Sequence, residues 1–175
     1  MCNQRLASLE SKPPLPISLV AMWGITASDM DTLTKAQRSE RMSRIRSKDT
    51  RPELAVRQAL FALGYRYQLH RRDLPGKPDI VFATRKKALF VHGCFWHAHE
   101  GCKVANLPKS RTKFWQAKFQ RNVERDKLNK RALRRMGWSS LTVWECEIKR
   151  PDRVLKRVIG YLGPPGATIN KGRSS

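Results

Sequence analysis

A chain of 175 residues is long enough for one domain with a sizeable core, and it leaves little room for a second. Its 36 Lys and Arg stand against 14 Asp and Glu, a formal charge of +22, while 40% of residues are hydrophobic. That balance excludes a globally disordered chain and points to a polyanionic partner bound with steep salt dependence, nucleic acid before a membrane surface.

No apolar run of about 18 residues occurs, so no bilayer-spanning helix is expected. Neither does a secretion signal open the chain, and a cytoplasmic, nucleoid-associated protein is expected. The four cysteines, Cys2, Cys94, Cys102 and Cys146, would then sit in a reducing compartment where disulfides are rare.

Residues 1–33 carry Lys12-Pro13-Pro14-Leu15-Pro16, which breaks helices and lacks strand alternation, and Met22 and Met30 offer alternative starts. This segment is expected to be a mobile extension. Residues 34–47 read as a short basic helix with Met42 and Ile45 on one face. Thr50-Arg51-Pro52-Glu53 is a capping box, so a helix follows through Leu54, Val56, Leu60 and Leu63 to a stop at Gly64.

Residues 65–70 are a candidate strand, and Leu74-Pro75-Gly76-Lys77-Pro78 is a turn. Residues 79–83 and 88–92 read as a hairpin of apolar strands. A long, strongly basic helix fits residues 112–136 and ends at Gly137; a strand over 139–145 and a helix over 153–162 follow. Residues 163–175 read as a tail, leaving one domain over 34–162. The expected fold class is α/β, a mixed sheet flanked by helices.

Chemistry concentrates in Cys94-Phe95-Trp96-His97-Ala98-His99-Glu100-Gly101-Cys102, with Cys146 supplying a remote further ligand from the end of a strand. Cysteines often serve only as small buried hydrophobes, but this density of soft donors favours tetrahedral zinc. His97 and His99 stand two apart, and in an extended segment they would point to opposite sides. His99 is therefore assigned to zinc and His97 to the substrate, with Gly101 easing the turn back to Cys102.

Asp79 begins a buried strand after a Gly/Pro turn. Most such aspartates only cap turns, yet the next strand ends in Phe90-Val91-His92, directly before the zinc cluster. Asp79, His92 and His97 would then gather at one end of the sheet, a hard carboxylate for magnesium beside imidazoles for proton transfer. Asp126 falls within about 20 degrees of Trp115, Phe119 and Leu133 on a helical wheel. An Asp on an apolar face serves either as a structural salt bridge or to orient an active-site histidine. Phe95, Trp96, Phe114 and Trp115 are aromatics among basic residues, suited to stack on bases. Phe119, Trp138 and Trp144 read better as core.

Five blocks together are highly specific: Leu74-Pro75-Gly76-Lys77-Pro78-Asp79; Val91-His92-Gly93-Cys94-Phe95-Trp96-His97; Arg111-Thr112-Lys113-Phe114-Trp115; Asn122-Val123-Glu124-Arg125-Asp126; and Val143-Trp144-Glu145-Cys146. In this order, across roughly residues 37–150, the chain resembles the very short patch repair (Vsr-type) DNA mismatch endonucleases. The resemblance implies a fold like that of type II restriction enzymes with an added structural zinc on Cys94, His99, Cys102 and Cys146. It implies magnesium on Asp79 and a backbone carbonyl near Val91, where many relatives have Thr. His97 would act as base with Asp126 behind it, His92 would assist at the phosphate, and Glu53 would lie nearby. Met42, Ile45, Phe95, Trp96 and Trp115 would wedge beside the mismatch.

The implied reaction nicks double-stranded DNA 5′ of the T in a T:G mismatch left by deamination of 5-methylcytosine. A monomer with a functional link to a DNA cytosine methyltransferase goes with it. Two alternatives compete: a related nuclease with another target, and a non-catalytic zinc protein that binds DNA or RNA by charge. A pure binder has no use for convergence of Asp79, His92 and His97.

Overall fold

The computed structural model describes residues 48–166 and, before them, Thr34, Ala36, Gln37, Glu40 and Ser43. The extension over 1–33, Met42, Ile45 and the tail from 167 lie outside the described residues. Of the basic helix expected over 34–47, Ala36, Gln37, Glu40 and Ser43 are helical. It starts on a reciprocal cap: Gln37 Oε1 accepts from the Thr34 amide at 2.9 Å, and Thr34 Oγ1 accepts from the Gln37 amide at 3.3 Å.

Helix α1 (Arg51–Ala62) begins at the Thr50 cap with Pro52 in its first turn. Glu53 reaches back one residue further than a standard capping box, accepting from the Asp49 amide at 3.0 Å. Strand β1 (Gln68–Leu69) is shorter than the expected 65–70, because His70 turns into the left-handed region at φ 48 and ends the pairing. Strands β2 (Ile80–Phe82) and β3 (Lys87–His92) form the expected hairpin, turned by a 3₁₀ segment over Ala83–Arg85 and a left-handed Lys86.

Helix α2 (Thr112–Arg135) crosses back to strand β4 (Ser139–Trp144), which pairs parallel to β3. Helix α3 (Pro151–Leu162) starts two residues earlier than expected, since Pro suits a first helical turn. The sheet order is β1-β2-β3-β4, with the first two pairings antiparallel. A four-stranded mixed sheet flanked by helices is thus the architecture.

Alternation along the strands sorts side chains to two faces. Ile80, Phe82, Leu89, Val91 and Val143 pack against Val56 and Leu60 of α1 and Val154, Val158 and Leu162 of α3. Val81 and Phe90 face the other way, onto Leu133 of α2 and Leu74. Burying each aliphatic side chain of this kind contributes about 1.5–3 kcal/mol. The same alternation sends His92 and Trp144, the last registered pair of β3 and β4, to the α2 side. No helix among the described residues is long and apolar enough to cross a membrane.

Candidate active site and metal centre

The segment after β3 does not run extended. It coils through successive turns, with the His97 amide bonded to the Gly93 carbonyl at 3.3 Å and the His99 amide to the Cys94 carbonyl at 3.0 Å. Ala98 sits at φ 46 between the two histidines. They do part company as expected, but the left-handed residue between them separates them rather than strand alternation. Gly93 allows a close approach, since a Cβ there would meet Trp96 Cδ1 at 3.2 Å and the indole would have to shift slightly.

His99 turns toward the cysteines. Its Nδ1 lies 3.5 Å from Cys94 Sγ and 3.4 Å from Cys146 Sγ, and one ligand atom from each of Cys94, His99, Cys102 and Cys146 lies within 4.8 Å of the others. Tetrahedral zinc with Zn–S of about 2.3 Å and Zn–N of about 2.0–2.1 Å needs ligand separations of about 3.5–3.8 Å. The donor set and spacing therefore fit zinc. Burial raises the Cys94 and Cys146 thiols, while Cys102, beside the Val104 and Ala105 amides, is held below the ordinary thiol range despite some burial. Glu145, which sequence reasoning missed, accepts from the Cys94 amide at 3.3 Å.

His97 turns toward α2 instead. Its Nδ1 lies 2.6 Å from Asp126 Oδ2, and its ring stacks on His92 at 3.7 Å and 14°. Of the two partners open for Asp126, an arginine of the sheet or a histidine, the one it bonds is a histidine. Burial pushes the Asp126 carboxyl up, but the His97 hydrogen bond, first among several lowering influences, outweighs this and holds it below its ordinary range. An ionised carboxylate only accepts, so Nδ1 of His97 carries the donated proton. Burial, then the neighbouring His97, lower His92 to about 3, so it is neutral at physiological pH. Although His92, His97 and Asp126 lie close enough to be considered for an ion, the two rings are nearly parallel. The hydrogen bond in this trio joins His97 to Asp126, and His92 belongs to it by ring contact.

Asp79 stands just ahead of β2. Its amide bonds the Leu89 carbonyl at 3.1 Å, and its Oδ2 accepts from the Val91 amide at 2.7 Å. Burial, with Glu53 adding to it, raises Asp79 to about 6 despite the Val91 amide, His70 and Arg57. A part-buried carboxyl group so reluctant to ionise is well matched to a bound cation, which would reverse that cost. The donor chemistry thus fits a hard divalent ion.

Glu53 is buried and engaged: Thr50 donates to its Oε1 at 2.9 Å and Arg57 to its Oε2 at 3.0 Å. Arg57, itself 5% exposed, also donates to Asp49 and to His70 Nε2 at 3.0 Å. This network went unrecognised in the sequence. It includes Asp49, Glu53 and His70, another group near enough for an ion, but the Arg57 guanidinium already supplies the cation.

The aromatic residues form one cluster at the start of α2. Phe95, Trp115 and Phe119 are buried edge to face, Trp96 is part-exposed, and Phe114 is exposed. The Lys118 ammonium lies 5.1 Å from the Trp96 ring and 5.3 Å from the Trp115 ring. Asn122, one turn before Asp126, donates to the Trp96 carbonyl at 2.7 Å. A single face of α2 therefore holds both Trp96 and His97. Phe119 and Trp138 are core as expected. Trp144 is not merely core; it stacks on His99 at 4.0 Å and 6°.

Hydrolysis of a phosphodiester asks for a base and a charge-neutralising centre, and the end of β3 gathers a carboxyl group, Asp79, bonded to the Val91 amide, with the stacked His92 and His97 rings. The class so defined is a DNA endonuclease. A family model described as DNA mismatch endonuclease Vsr matches residues 30–103. The chain is 48% identical over 134 residues to the type II nicking enzyme V.XorIIP of Xanthomonas oryzae pv. oryzae, covering 77% of this chain and 98% of that relative. It is 44% identical over 119 residues to the type II nicking enzyme V.NmeAIP of Neisseria meningitidis serogroup A, covering 68% and 84%. Against the DNA mismatch endonuclease Vsr of Escherichia coli K12 the identity is 37% over 124 residues, covering 71% and 79%. The chain belongs to the Vsr family of DNA mismatch endonucleases, whose fold is restriction-endonuclease-like.

Proposed function

We propose that this enzyme nicks double-stranded DNA on the 5′ side of the T in a T:G mismatch left by deamination of 5-methylcytosine. It acts as a monomer, and its need is set by a DNA cytosine methyltransferase. The observation that carries the chemistry is the His97–Asp126 pair, with Nε2 of His97 left free as a base. Magnesium, when held by Asp79 and a backbone carbonyl at Val91, supplies charge neutralisation at the phosphate.

His97 takes a proton from the attacking water, and Asp126 stabilises the imidazolium that results. His92, neutral, offers the phosphate a hydrogen bond rather than a charge. Glu53 contributes through its field on Asp79. Cys94, His99, Cys102 and Cys146 hold a structural zinc that fixes the turn carrying His97. Part-exposed Trp96 leads the wedge at the mismatch, with Phe95 and Trp115 supporting it and Met42 and Ile45 as further members of it. A mismatched step is weakly stacked, so insertion there costs less than in paired DNA.

The test compares nicking of a T:G duplex with its matched control, each with and without magnesium. Magnesium-dependent nicking confined to the mismatch is expected. Equal cutting of both duplexes would sink the mismatch reading, and undiminished cutting in a chelator would sink the magnesium reading.

A further inference from the structure

His92 and His97 are held in different ways. His97 is bonded to Asp126. The His92 ring makes no hydrogen bond among the described residues; Asp126 Oδ2 lies 3.8 Å from its Nδ1, beyond hydrogen-bond range. The backbone through Gly93 places its Cα, but an imidazole turns readily about its outer torsion. Ring contacts alone therefore set its plane: Phe90 at 5.6 Å and 59°, His97 at 3.7 Å and 14°, and Trp144 at 5.5 Å and 77°.

Trp144 is the one of these three tied to a second site. It is the register partner of His92 across the β3–β4 pair. Its ring lies flat on His99 at 4.0 Å, and the Nδ1 of His99 faces the sulphurs of Cys94 and Cys146. Its backbone amide is fixed by Glu147 Oε2 at 2.8 Å, and Glu147 is held in turn by Arg157 at 2.6 Å. A continuous run of rings thus joins the Cys/His centre to Asp126 through His99, Trp144, His92 and His97.

We propose that Trp144 is a positioning residue for nicking: clamped flat against His99 of the Cys/His centre, its indole fixes the plane of the His92 ring. The consequence for turnover rests on the reading of His92 as a phosphate-side group. The consequence for ring geometry does not.

The experiment uses the full chain with its zinc bound and ¹⁵N-labelled histidine, observed by long-range ¹H–¹⁵N spectra without DNA or magnesium. Trp144→Leu is expected to keep its zinc by elemental analysis, to shift or broaden the His92 ring signals, and to leave the His97 ring bonded to Asp126. Its kcat on a mismatched duplex should fall by about tenfold or more with little change in KM. Trp144→Phe should move the His92 signals less and recover most of the rate. Unmoved His92 signals in Trp144→Leu, loss of zinc, or a Phe variant no better than Leu would each overturn the proposal. Should Trp144→Leu fail to fold, Trp144→Phe decides alone, because the smaller ring withdraws from His92 and unmoved signals there are equally fatal. Normal nicking by His92→Ala would refute the catalytic reading of His92 while leaving the spectral test of Trp144 intact.

Discussion

Two histidines two residues apart serve two unlike regions. Around His99 the neighbours are sulphurs, their atoms converge, and the ring is fixed from its face by Trp144. Around His97 the neighbours are a carboxylate and a parallel imidazole, with no sulphur among them. The difference lies in the partners and not in the histidines: soft donors near tetrahedral spacing suit a metal, whereas one hard acceptor at 2.6 Å suits a base. The first region is built to stay closed. The second must leave a nitrogen open.

The comparison breaks most severely if the closed region is opened. Cys146→Ala is expected to lose bound zinc, by elemental analysis, together with its cooperative thermal transition, because structural zinc is coupled to folding. A folded, fully active Cys146→Ala protein would mean that the Cys/His centre is not structural. Next in size come the residues of the open region. Asp79→Ala and His97→Ala should each still bind mismatched duplex at fixed salt yet nick at least about a hundredfold more slowly, the scale of a lost acid–base group. His99→Ala should instead lose zinc and solubility together. If His97→Ala lost zinc while His99→Ala kept it, the two assignments would exchange.

A smaller effect is expected at the shared turn between the regions. Trp96→Ala should weaken discrimination between T:G and matched duplex while zinc stays bound; an unchanged preference would make Trp96 ordinary packing. The smallest effect belongs to residues remote from both regions. A chain starting at Met30 should nick as fast as the full length, and Cys2→Ser should change nothing. A large loss from the shortened chain would give the extension a part in the site.

What could be read from the sequence follows the range of the interactions. The ligand set was legible because Cys94, His99 and Cys102 are close in the chain and Cys146 follows a clear strand. Asp126 was legible as an anomaly, a charge on the apolar face of a periodic helix, although its partner required the turn at Gly93 that brings His97 to α2. The hairpin and long helix followed from strand alternation and a terminal glycine. Arg57 was not legible. Its burial depends on α1 docking beside His70, whose left-handed backbone no local signal announces. Trp144 carried the signature of a core strand residue, and only the β3–β4 register places it between two histidines.

Helix α3 ends in an arrangement with a consequence for how the chain folds. Its last carbonyls are taken by cations from the hairpin: Arg85 donates to Leu162 at 2.7 Å and to Pro164 at 2.7 Å, and Lys87 donates to Tyr161. Tyr65 donates to the Gly163 carbonyl. These partners lie 74 to 98 residues apart in the chain. Such distant pairings form only after long loops have closed, which slows folding and discourages stepwise assembly. During synthesis the hairpin and α2 emerge well before the helix that seals the sheet's other face. The apolar row of Ile80, Leu89, Val91 and Val143 has only Val56 and Leu60 of α1 to cover it on that side until Val154, Val158 and Leu162 arrive. The nascent enzyme therefore passes through an aggregation-prone interval that ends when its final helix is released, and a lowered growth temperature during expression should raise the soluble yield.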